Sequence, residues 1–331
     1  MTAIEVGAGG TGGTTSVVAA VDIGTNSVKM TVAVGGAGER PRVLADRTAT
    51  TRLGKKVDAD GRLTDEAVAR TLAALDGFAR EARALGATRI DAVGTSALRD
   101  AANGMEFVAR AAALLGGRVE VISGDREAAL IYAAARHDRD LPRPPDDTTP
   151  LATMDIGGGS TEIVLGSGDL VTFRDSLQLG AVRLTERALP SDPPTTEERA
   201  AAAALADEIL AAVPAPTYDG GGVIVVGSGG TAANLAAMEL SVHRPADAPP
   251  LTLEDVHATR LTVEQIEAWI ADLAAKPLAQ RRETPGLEPD RADVIIAGAI
   301  IQARALRHLH ASAVIVSLRG LRYGLLYEML G

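Results

Sequence analysis

The chain has 331 residues and a net charge of −10, from 33 basic and 43 acidic side chains, and this acidic balance argues against a nucleic-acid partner. It contains no cysteine, which excludes disulfides and thiolate catalysis. The sequence shows neither a signal peptide nor an apolar run of about 18 residues, so we expect a cytoplasmic protein with no membrane partner.

The first half of the chain opens with a Gly/Thr-rich segment, residues 1–16, which we expect to be a disordered tail. Residues 17–34 then form two β-branched runs around a short polar turn, and this pattern predicts a hairpin. A helix is predicted over 64–86, because acidic residues open it and Gly86 follows it. Two further segments have the order strand, loop, helix: 89–104 and 118–137.

The second half begins after 138–150, a segment rich in proline and charge that we interpret as a linker or surface loop. It separates a predicted first domain, 17–137, from a second, 151–331. The length agrees with this division, since roughly 150 residues per domain predicts about two domains. The predicted elements of the second domain are a strand–turn–strand unit at 151–177, helices with capping boxes at 195–213 (Thr195 and Glu198) and 261–275 (Thr262 and Gln265), a strand–turn–helix unit at 221–238, an apolar helix at 291–310 and a closing strand, turn and helix at 313–330.

Two segments of the chain resemble each other. DIGTNS (22–27) and DIGGGS (155–160) each end an apolar strand, and they lie 133 positions apart. This spacing, about one domain length, predicts two homologous α/β halves whose equivalent turns face one cleft. Glycine lets backbone N–H groups point into a pocket and bind phosphate oxygens, and the preceding aspartate can hold a hydrated Mg²⁺. The repeat therefore predicts a phosphate-binding cleft.

Eight motifs follow one another from Val17 to Leu330: VAAVDIGTNSVKM, VGTSALRDAANG, VISGDREAALIY, DIGGGSTEIVLG, SLQLGAVRLTE, VGSGGTAANLAA, PGLEPDRADVIIAGA and SLRGLRYGLLYEM. In this order they resemble the motifs of the exopolyphosphatase/guanosine pentaphosphate phosphohydrolase family. The resemblance implies an α/β fold with two ribonuclease H-like domains around an active-site cleft, as in the actin, hexokinase and sugar-kinase superfamily. It also implies the short form of the family, without a C-terminal HD-type domain.

The activity that this resemblance implies is exopolyphosphatase activity, the metal-dependent hydrolysis of terminal phosphoanhydride bonds in inorganic polyphosphate with release of orthophosphate. The implied metal is Mg²⁺, with other divalent ions allowed. Three alternatives stay open at this point. They are a 5′-phosphohydrolase of guanosine pentaphosphate, a sugar-kinase-like phosphotransferase, and a non-catalytic sensor of polyphosphate or alarmone.

The resemblance also assigns roles to individual residues. Glu127 matches the family's proposed general base, Arg99 matches an arginine thought to contact phosphate, and Asp155 and Glu162 match metal-binding carboxylates. Because these two positions differ by an odd number, their convergence requires that the turn break the alternation of a strand. The matching phosphate-binding residues are Asp22, Gly24, Thr25, Asn26, Ser27, Gly157, Gly158, Gly159, Ser160, Thr161, Gly229, Gly230, Thr231, Arg291 and Arg322.

The chain departs from the family pattern at a few positions. Arg126 replaces an acidic residue before Glu127, where a nearby guanidinium would favour the ionised carboxylate. Tyr323 replaces a glutamate, and Lys55 and Lys56 replace an acidic and a small residue on a loop that could either steer polyphosphate or be simply solvated.

The predicted helix near the C-terminus bears on assembly. Residues 291–310 are apolar on much of the helix surface. This allows a homodimer interface, although a core helix explains the pattern equally well.

Overall fold

The computed structural model describes residues 15–36, 40–142, 149–168, 170–215, 223–245, 247–249 and 251–331. Most of the predicted tail and the centre of the predicted linker, residues 143–148, lie outside the described residues. The strands are β1 (Ser16–Ile23), β2 (Ser27–Gly35), β3 (Arg42–Thr50), β4 (Arg89–Gly94), β5 (Val119–Val121), β6 (Leu151–Ile156), β7 (Thr161–Ser167), β8 (Leu170–Leu177), β9 (Ile224–Ser228), β10 (Arg260–Thr262) and β11 (Ala313–Val316). The helices are α1 (Val57–Asp60), α2 (Asp65–Ala84), α3 (Ser96–Asp100), α4 (Gly104–Leu115), α5 (Gly124–His137), α6 (Ala181–Ala188), α7 (Thr196–Leu210), α8 (Gly229–Val242), α9 (Leu253–Val256), α10 (Val263–Ala274), α11 (Leu278–Arg281), α12 (Ile295–His308) and α13 (Leu321–Leu330), with a 3₁₀ turn at Pro289–Arg291.

The strands form two mixed sheets with the same core arrangement. The first has the order β3-β2-β1-β4-β5, and the second has the order β10-β11-β9-β6-β7-β8. β1 is antiparallel to β2 and parallel to β4, as β6 is to β7 and β9. Reversing the second order matches the sheets strand for strand, with β10 as an addition. The predicted α/β class and its duplication are therefore confirmed.

Both faces of β1 are buried, which explains its nearly continuous apolar sequence. Ala19 and Val21 pack with side chains of α2 and α4, whereas Val18 and Ala20 pack with side chains of α5 and α13. The last helix of the chain thus covers the first sheet rather than the second. The predicted domain division at 138–150 stays a prediction, but residues 321–330 pack with the first half.

Helices α2, α7 and α10 begin within two residues of their predicted starts. Thr64 caps α2 by accepting the N–H of Ala67, and the capping boxes at Thr195 and Thr262 are both formed. Each cap satisfies N–H groups that a helix would otherwise leave unpaired. No helix in the described part of the chain is long and apolar enough to cross a membrane.

Helix α12 lies inside the second core. Its residues from Ile295 to Ala303 are all buried, together with Ala305 and Leu306, among side chains of α6, α7, α8 and α10. A helix that is apolar on most of its surface is expected in such a position. Of the two interpretations of residues 291–310, the core helix is the one the structure supports, so this surface provides no basis for a homodimer.

Candidate active site

Two polar turns meet between the sheets. In the turn from β1 to β2 the Gly24 N–H donates to the carbonyl three residues later at 3.1 Å, and in the turn from β6 to β7 Gly157 does the same at 2.9 Å. The turns lie against each other, because a Cβ atom built on Gly158 would come within 3.0 Å of the Thr25 side chain. Glycine at this position lets the two backbones approach closely.

The register of each hairpin sets which side chains face one another across the turn. Asp155 lies directly opposite Glu162, and Asp22 lies directly opposite Lys29. Residues directly opposite in an antiparallel pair project from the same face of a sheet, so the odd spacing of Asp155 and Glu162 does not separate them. Sequence reasoning missed Lys29. The repeat itself could have revealed it, since Lys29 follows Asp22 by the same seven positions by which Glu162 follows Asp155.

A small inner cavity of about 60 Å³ lies between the turns and shares residues with a larger outer cavity of about 720 Å³. The inner cavity is lined by four carboxylates, those of Asp22, Glu127, Asp155 and Glu162, and by Lys29. The predicted phosphate-binding residues that also line it are Gly24, Thr25, Asn26, Ser27, Gly157, Gly158, Gly159, Ser160, Gly229, Gly230, Thr231 and Arg291.

Three predicted site residues lie elsewhere. Thr161 lines neither cavity, because its buried hydroxyl donates to the Leu179 carbonyl. Arg322 lines the outer cavity only. Arg99 also lines neither cavity. The prediction that Arg99 contacts phosphate has no support in its position, whereas its contact with Glu127 gives it another role.

Glu127 is held at the start of α5. Ser123 caps this helix by accepting the Arg126 N–H at 3.2 Å, and Glu127 in the first turn is only 6% exposed. Its Oε2 accepts from Arg99 Nη1 at 2.7 Å. Burial and the neighbouring Glu162 raise the pKa of Glu127 well above its usual value, although Arg99 opposes this. The Arg126 side chain instead pairs with Glu328 on α13, so it does not act on Glu127 as the sequence suggested.

Arg99 holds the Glu127 carboxylate in place through one nitrogen. Arg99 Nη1 also donates to the Ile122 carbonyl at 2.9 Å, on the segment that leads into α5. A guanidinium that bonds both the carboxylate and the preceding backbone restricts the rotamers that Glu127 can adopt.

Glu162 is fixed by two hydroxyl groups. Ser160 and Ser176 donate to the same oxygen, Oε1, at 2.7 and 2.6 Å. Burial raises the pKa of Glu162 to about 7, and the charge of Asp155 adds to this, while the two hydroxyls lower it. Ser176, on β8, was not identified from the sequence, because its contact depends on the pairing of β8 with β7.

Burial shifts the pKa values of charged groups in the inner cavity towards their neutral forms. The pKa of Asp22 rises to about 6, mainly through burial and further through Asp155, although Lys29 opposes it. The pKa of Lys29 falls for the same reason, since burial disfavours its charged form. Crowded carboxylates with raised pKa values are the environment that a bound cation would relieve.

Asp155 and Glu162 fit a divalent cation. Both offer hard carboxylate oxygens on one face of the second sheet, and Mg²⁺ takes one or two such ligands together with water and substrate oxygens. Ser228 donates to Asp155 Oδ2, which orients the carboxylate. Gly229 has a φ of +90°, and a Cβ there would lie 2.6 Å from Asp155 Oδ1, so the third Gly-rich turn can approach this aspartate only as glycine.

Arg291 connects the two halves beside the inner cavity. Its Nε donates to Glu288 at 2.8 Å, and its Nη2 donates to the Ser27 hydroxyl of the first turn at 3.3 Å. A Cβ on Gly230 would collide with its guanidinium at 2.0 Å. This places a buried cation between the first and third turns.

A second group of side chains that could hold a metal lies beside the outer cavity. It consists of Asp138, Asp140 and His257. Here Arg319 already donates to both aspartates. The Leu318 N–H donates to His257 Nδ1 at 3.2 Å, and His257 Nε2 lies 3.3 Å from Asp138 Oδ2. Arg319 therefore already occupies the two carboxylates that a metal at this group would need.

Lys55 and Lys56 line neither the inner nor the outer cavity. Lys55 lines a separate cavity of about 150 Å³ behind Thr25 and Asn26, and the backbone N–H of Lys56 donates to Glu186 at 3.3 Å. Their suggested role in steering polyphosphate stays a prediction.

Residues 31–331 match the model of the Ppx/GppA phosphatase family. The chain is 37% identical to exopolyphosphatase 2 of Mycobacterium tuberculosis over 89% of this chain and 92% of that relative. It is 29% identical to exopolyphosphatase 1 of Mycobacterium bovis over 94% of this chain and 87% of that relative.

Solved structures agree with these sequence relatives. The Ppx/GppA family member of Aquifex aeolicus superposes with a TM-score of 0.77 at 33% identity, over 96% of this chain and 98% of that one. An exopolyphosphatase from Cytophaga hutchinsonii superposes with a TM-score of 0.83 at 27% identity, over 95% and 98%. The chain therefore shares the fold of these proteins along nearly its whole length.

Proposed function

This chain belongs to the Ppx/GppA phosphatase family, and we propose that it is an exopolyphosphatase that releases orthophosphate from the end of inorganic polyphosphate. The observation that carries the proposal is the inner cavity. It combines two facing glycine turns, the carboxylate pair of Asp155 and Glu162, which suits a cation, and Glu127, which Arg99 holds in place. These are the components that phosphoryl transfer to water requires.

The terminal phosphoryl group would bind between the two turns. Backbone N–H groups of such turns can donate to phosphate oxygens. Lys29 and Arg291 line the same cavity and would supply positive charge from the first and the second half. The outer cavity would then hold the rest of the chain.

Glu127 would orient the attacking water and accept its proton. A raised pKa makes a glutamate a stronger base at neutral pH than its usual value allows. The water oxygen forms a new bond to phosphorus, the bridging P–O bond breaks, and its electron pair leaves with the shortened chain. Arg99, through its bond to Oε2, would position Glu127 for this step.

Asp155 and Glu162 would hold a divalent cation, which we propose to be Mg²⁺. When bound, it would neutralise the phosphate oxygens on which charge collects during transfer. Ser160, Ser176 and Ser228 would keep the two carboxylates oriented, since each donates to one of them.

Guanosine pentaphosphate is a second candidate substrate, favoured by the outer cavity. The outer cavity has a volume of about 720 Å³, which lies within the range of roughly 300–1,000 Å³ typical of small-molecule sites. A nucleoside could therefore occupy the space beyond the terminal phosphates.

The test is phosphate release from long-chain polyphosphate, measured with Mg²⁺ and with a chelator. We expect Glu127→Gln to lower turnover by about 10²- to 10⁴-fold, the usual contribution of a general base, while polyphosphate binding persists. Glu120→Gln is the matched control, because Glu120 is an exposed partner of Arg118 on β5. Unchanged turnover in Glu127→Gln would reject the assignment, and no release by the folded wild type would favour the nucleotide substrate or a sensor.

A further inference from the structure

The outer cavity is rich in cations, but its arginines already have acidic partners. Four arginines line it. Within the same cavity Arg322 pairs with Asp46, Arg291 pairs with Glu288, and both Arg40 and Arg319 pair with Asp140. A polyanion entering this space therefore does not meet a free basic surface, and it must compete with carboxylates for each guanidinium.

One of these arginines, Arg322, keeps free donors. Arg322 lines the outer cavity together with Asp22, which also lines the inner cavity. Arg322 is 8% exposed, and its Nη2 bonds Asp46. Its Nε and Nη1 are buried without an acceptor among the residues that the structure describes. Buried donors of this kind usually have a partner, and a phosphate oxygen in the outer cavity could supply it.

Asp140 engages two other arginines of the outer cavity with a single oxygen. Its Oδ2 accepts from Arg319 Nη2 at 2.6 Å and also from Arg40. The carboxylate is one-third exposed, with a side-chain accessibility of 35%, and its backbone N–H donates to Asp138 at 3.1 Å. Asp140 thus engages both guanidinium groups and places a carboxylate where a phosphate chain would pass.

Arg319 does not need Asp140 to stay in place. Its Nη1 bonds the fully buried side chain of Asp138, and its guanidinium lies 5.8 Å from the centre of the Tyr323 ring. Removing the charge of Asp140 would leave Arg319 anchored while freeing its Nη2 for an anion. This separates the two acids, since Asp138 orients the arginine and Asp140 blocks it.

We propose that Asp140 is a specificity-determining residue that disfavours long phosphate chains by keeping Arg319 and Arg40 engaged. The inference rests on the proposed function, because it concerns the same substrate. On this proposal, a short chain such as tripolyphosphate would end before Asp140 and would not contend with its carboxylate. A longer chain must displace the Asp140 carboxylate from two guanidiniums and lie beside its charge.

The test compares long-chain polyphosphate with tripolyphosphate, using KM from phosphate release and Kd from titration calorimetry. Exposed ion pairs contribute little each, so we expect Asp140→Asn to lower the ratio of long-chain to tripolyphosphate KM by about 3- to 10-fold, with the same change in Kd. Adding Arg319→Gln should reverse this gain. Asp76→Asn is the charge-matched control, because Asp76 forms an exposed pair with Arg80 on α2 and should leave the ratio unchanged.

The outcomes separate this inference from the proposed activity. Tighter long-chain binding by Asp140→Asn without phosphate release from either protein would support the inference and reject the hydrolysis. Normal release with an unchanged or higher ratio would overturn the inference alone. An absence of binding by wild type and variant would overturn both.

Discussion

The β1–β2 and β6–β7 units place different side chains at the same cross-strand position. Asp22 faces Lys29 in the first unit, whereas Asp155 faces Glu162 in the second. The turn between each pair has the same backbone hydrogen bond. One unit therefore presents a carboxylate with an ammonium group, and the other presents two carboxylates.

This difference would divide the chemistry between the halves. An ammonium group beside glycine N–H groups suits a phosphate, whereas two carboxylates suit a divalent cation. The duplicated fold supplies the same scaffold twice. A single position, Lys29 or Glu162, then sets the sign of the charge that each scaffold can hold.

The largest expected effect comes from removing each charge in turn. Glu162→Gln should raise the Mg²⁺ concentration for half-maximal activity and lower turnover by about 100-fold or more, because a ligand outweighs the tenfold to hundredfold cost of losing a supporting residue. Lys29→Gln should instead raise KM for polyphosphate by about tenfold, with little change in the Mg²⁺ requirement. Metal titrations and substrate titrations of both variants measure this.

If Glu162→Gln and Lys29→Gln both changed only the Mg²⁺ requirement, or both changed only KM, the two halves would not divide metal and phosphate binding between them. Ser241→Ala on α8 is a suitable control, because Ser241 donates only to a backbone carbonyl of its own helix. It should leave both titrations unchanged.

A second prediction concerns the stability of the metal-free protein. The folded-state pKa of Glu162, about 7, lies above its ordinary value of 4.5. The ionised carboxylate therefore destabilises the fold by an amount that is absent below pH 4.5, grows between the two values and is complete above about pH 7. At about 1.4 kcal/mol per unit, Glu162→Gln should stabilise the protein by roughly 1–3 kcal/mol at pH 8.

Thermal unfolding with a chelator at pH 8 and pH 4 checks this expectation. The stabilisation by Glu162→Gln should vanish at pH 4, where the side chain at position 162 is neutral in wild type and variant alike. At pH 8, Mg²⁺ should stabilise the wild type more than the variant. A variant that is less stable than the wild type at pH 8 would show that Glu162 is not strained by burial.

The elements with strong local signals could be predicted from the sequence. The β1–β2 hairpin, the capped helices and the repeat of the DIG turns all follow from patterns within short windows. Strands β3 and β8 were not predicted as separate elements. Each of them has only one buried residue, so they lack the apolar alternation that marks a half-buried strand.

The site could be predicted only in part, because its contacts depend on the sheet register. Glu127, Asp155 and the two turns lie together as expected. Ser176 was missed because only the pairing of β8 with β7 shows that it faces Glu162, whereas Lys29 could have been found by comparing the two repeats. Arg99 was assigned to phosphate, but the fold turns it towards Glu127. A motif identifies the residue, and the tertiary structure decides its partner.

The smallest expected effect belongs to Ser176, which supports one member of the carboxylate pair. Its hydroxyl donates to Glu162 Oε1 at 2.6 Å, and this bond lowers the pKa of Glu162. Ser176→Ala should therefore raise that pKa and move the acid limb of kcat/KM to higher pH. Because Ser160 still donates to the same oxygen, we expect a loss of only about 3- to 10-fold near neutral pH.

A pH profile distinguishes positioning from a general packing defect. Glu162 must be ionised to hold a cation, so the loss in Ser176→Ala should shrink as pH rises and nearly disappear at pH 9. The Ser176→Thr variant keeps the hydroxyl and should restore the wild-type profile. A loss that is equal at all pH values would mean that Ser176 acts through packing alone, since β8 packs tightly against the start of the helix that carries Glu127, where a Cβ built on Gly124 would lie 2.3 Å from the Ser176 Cβ.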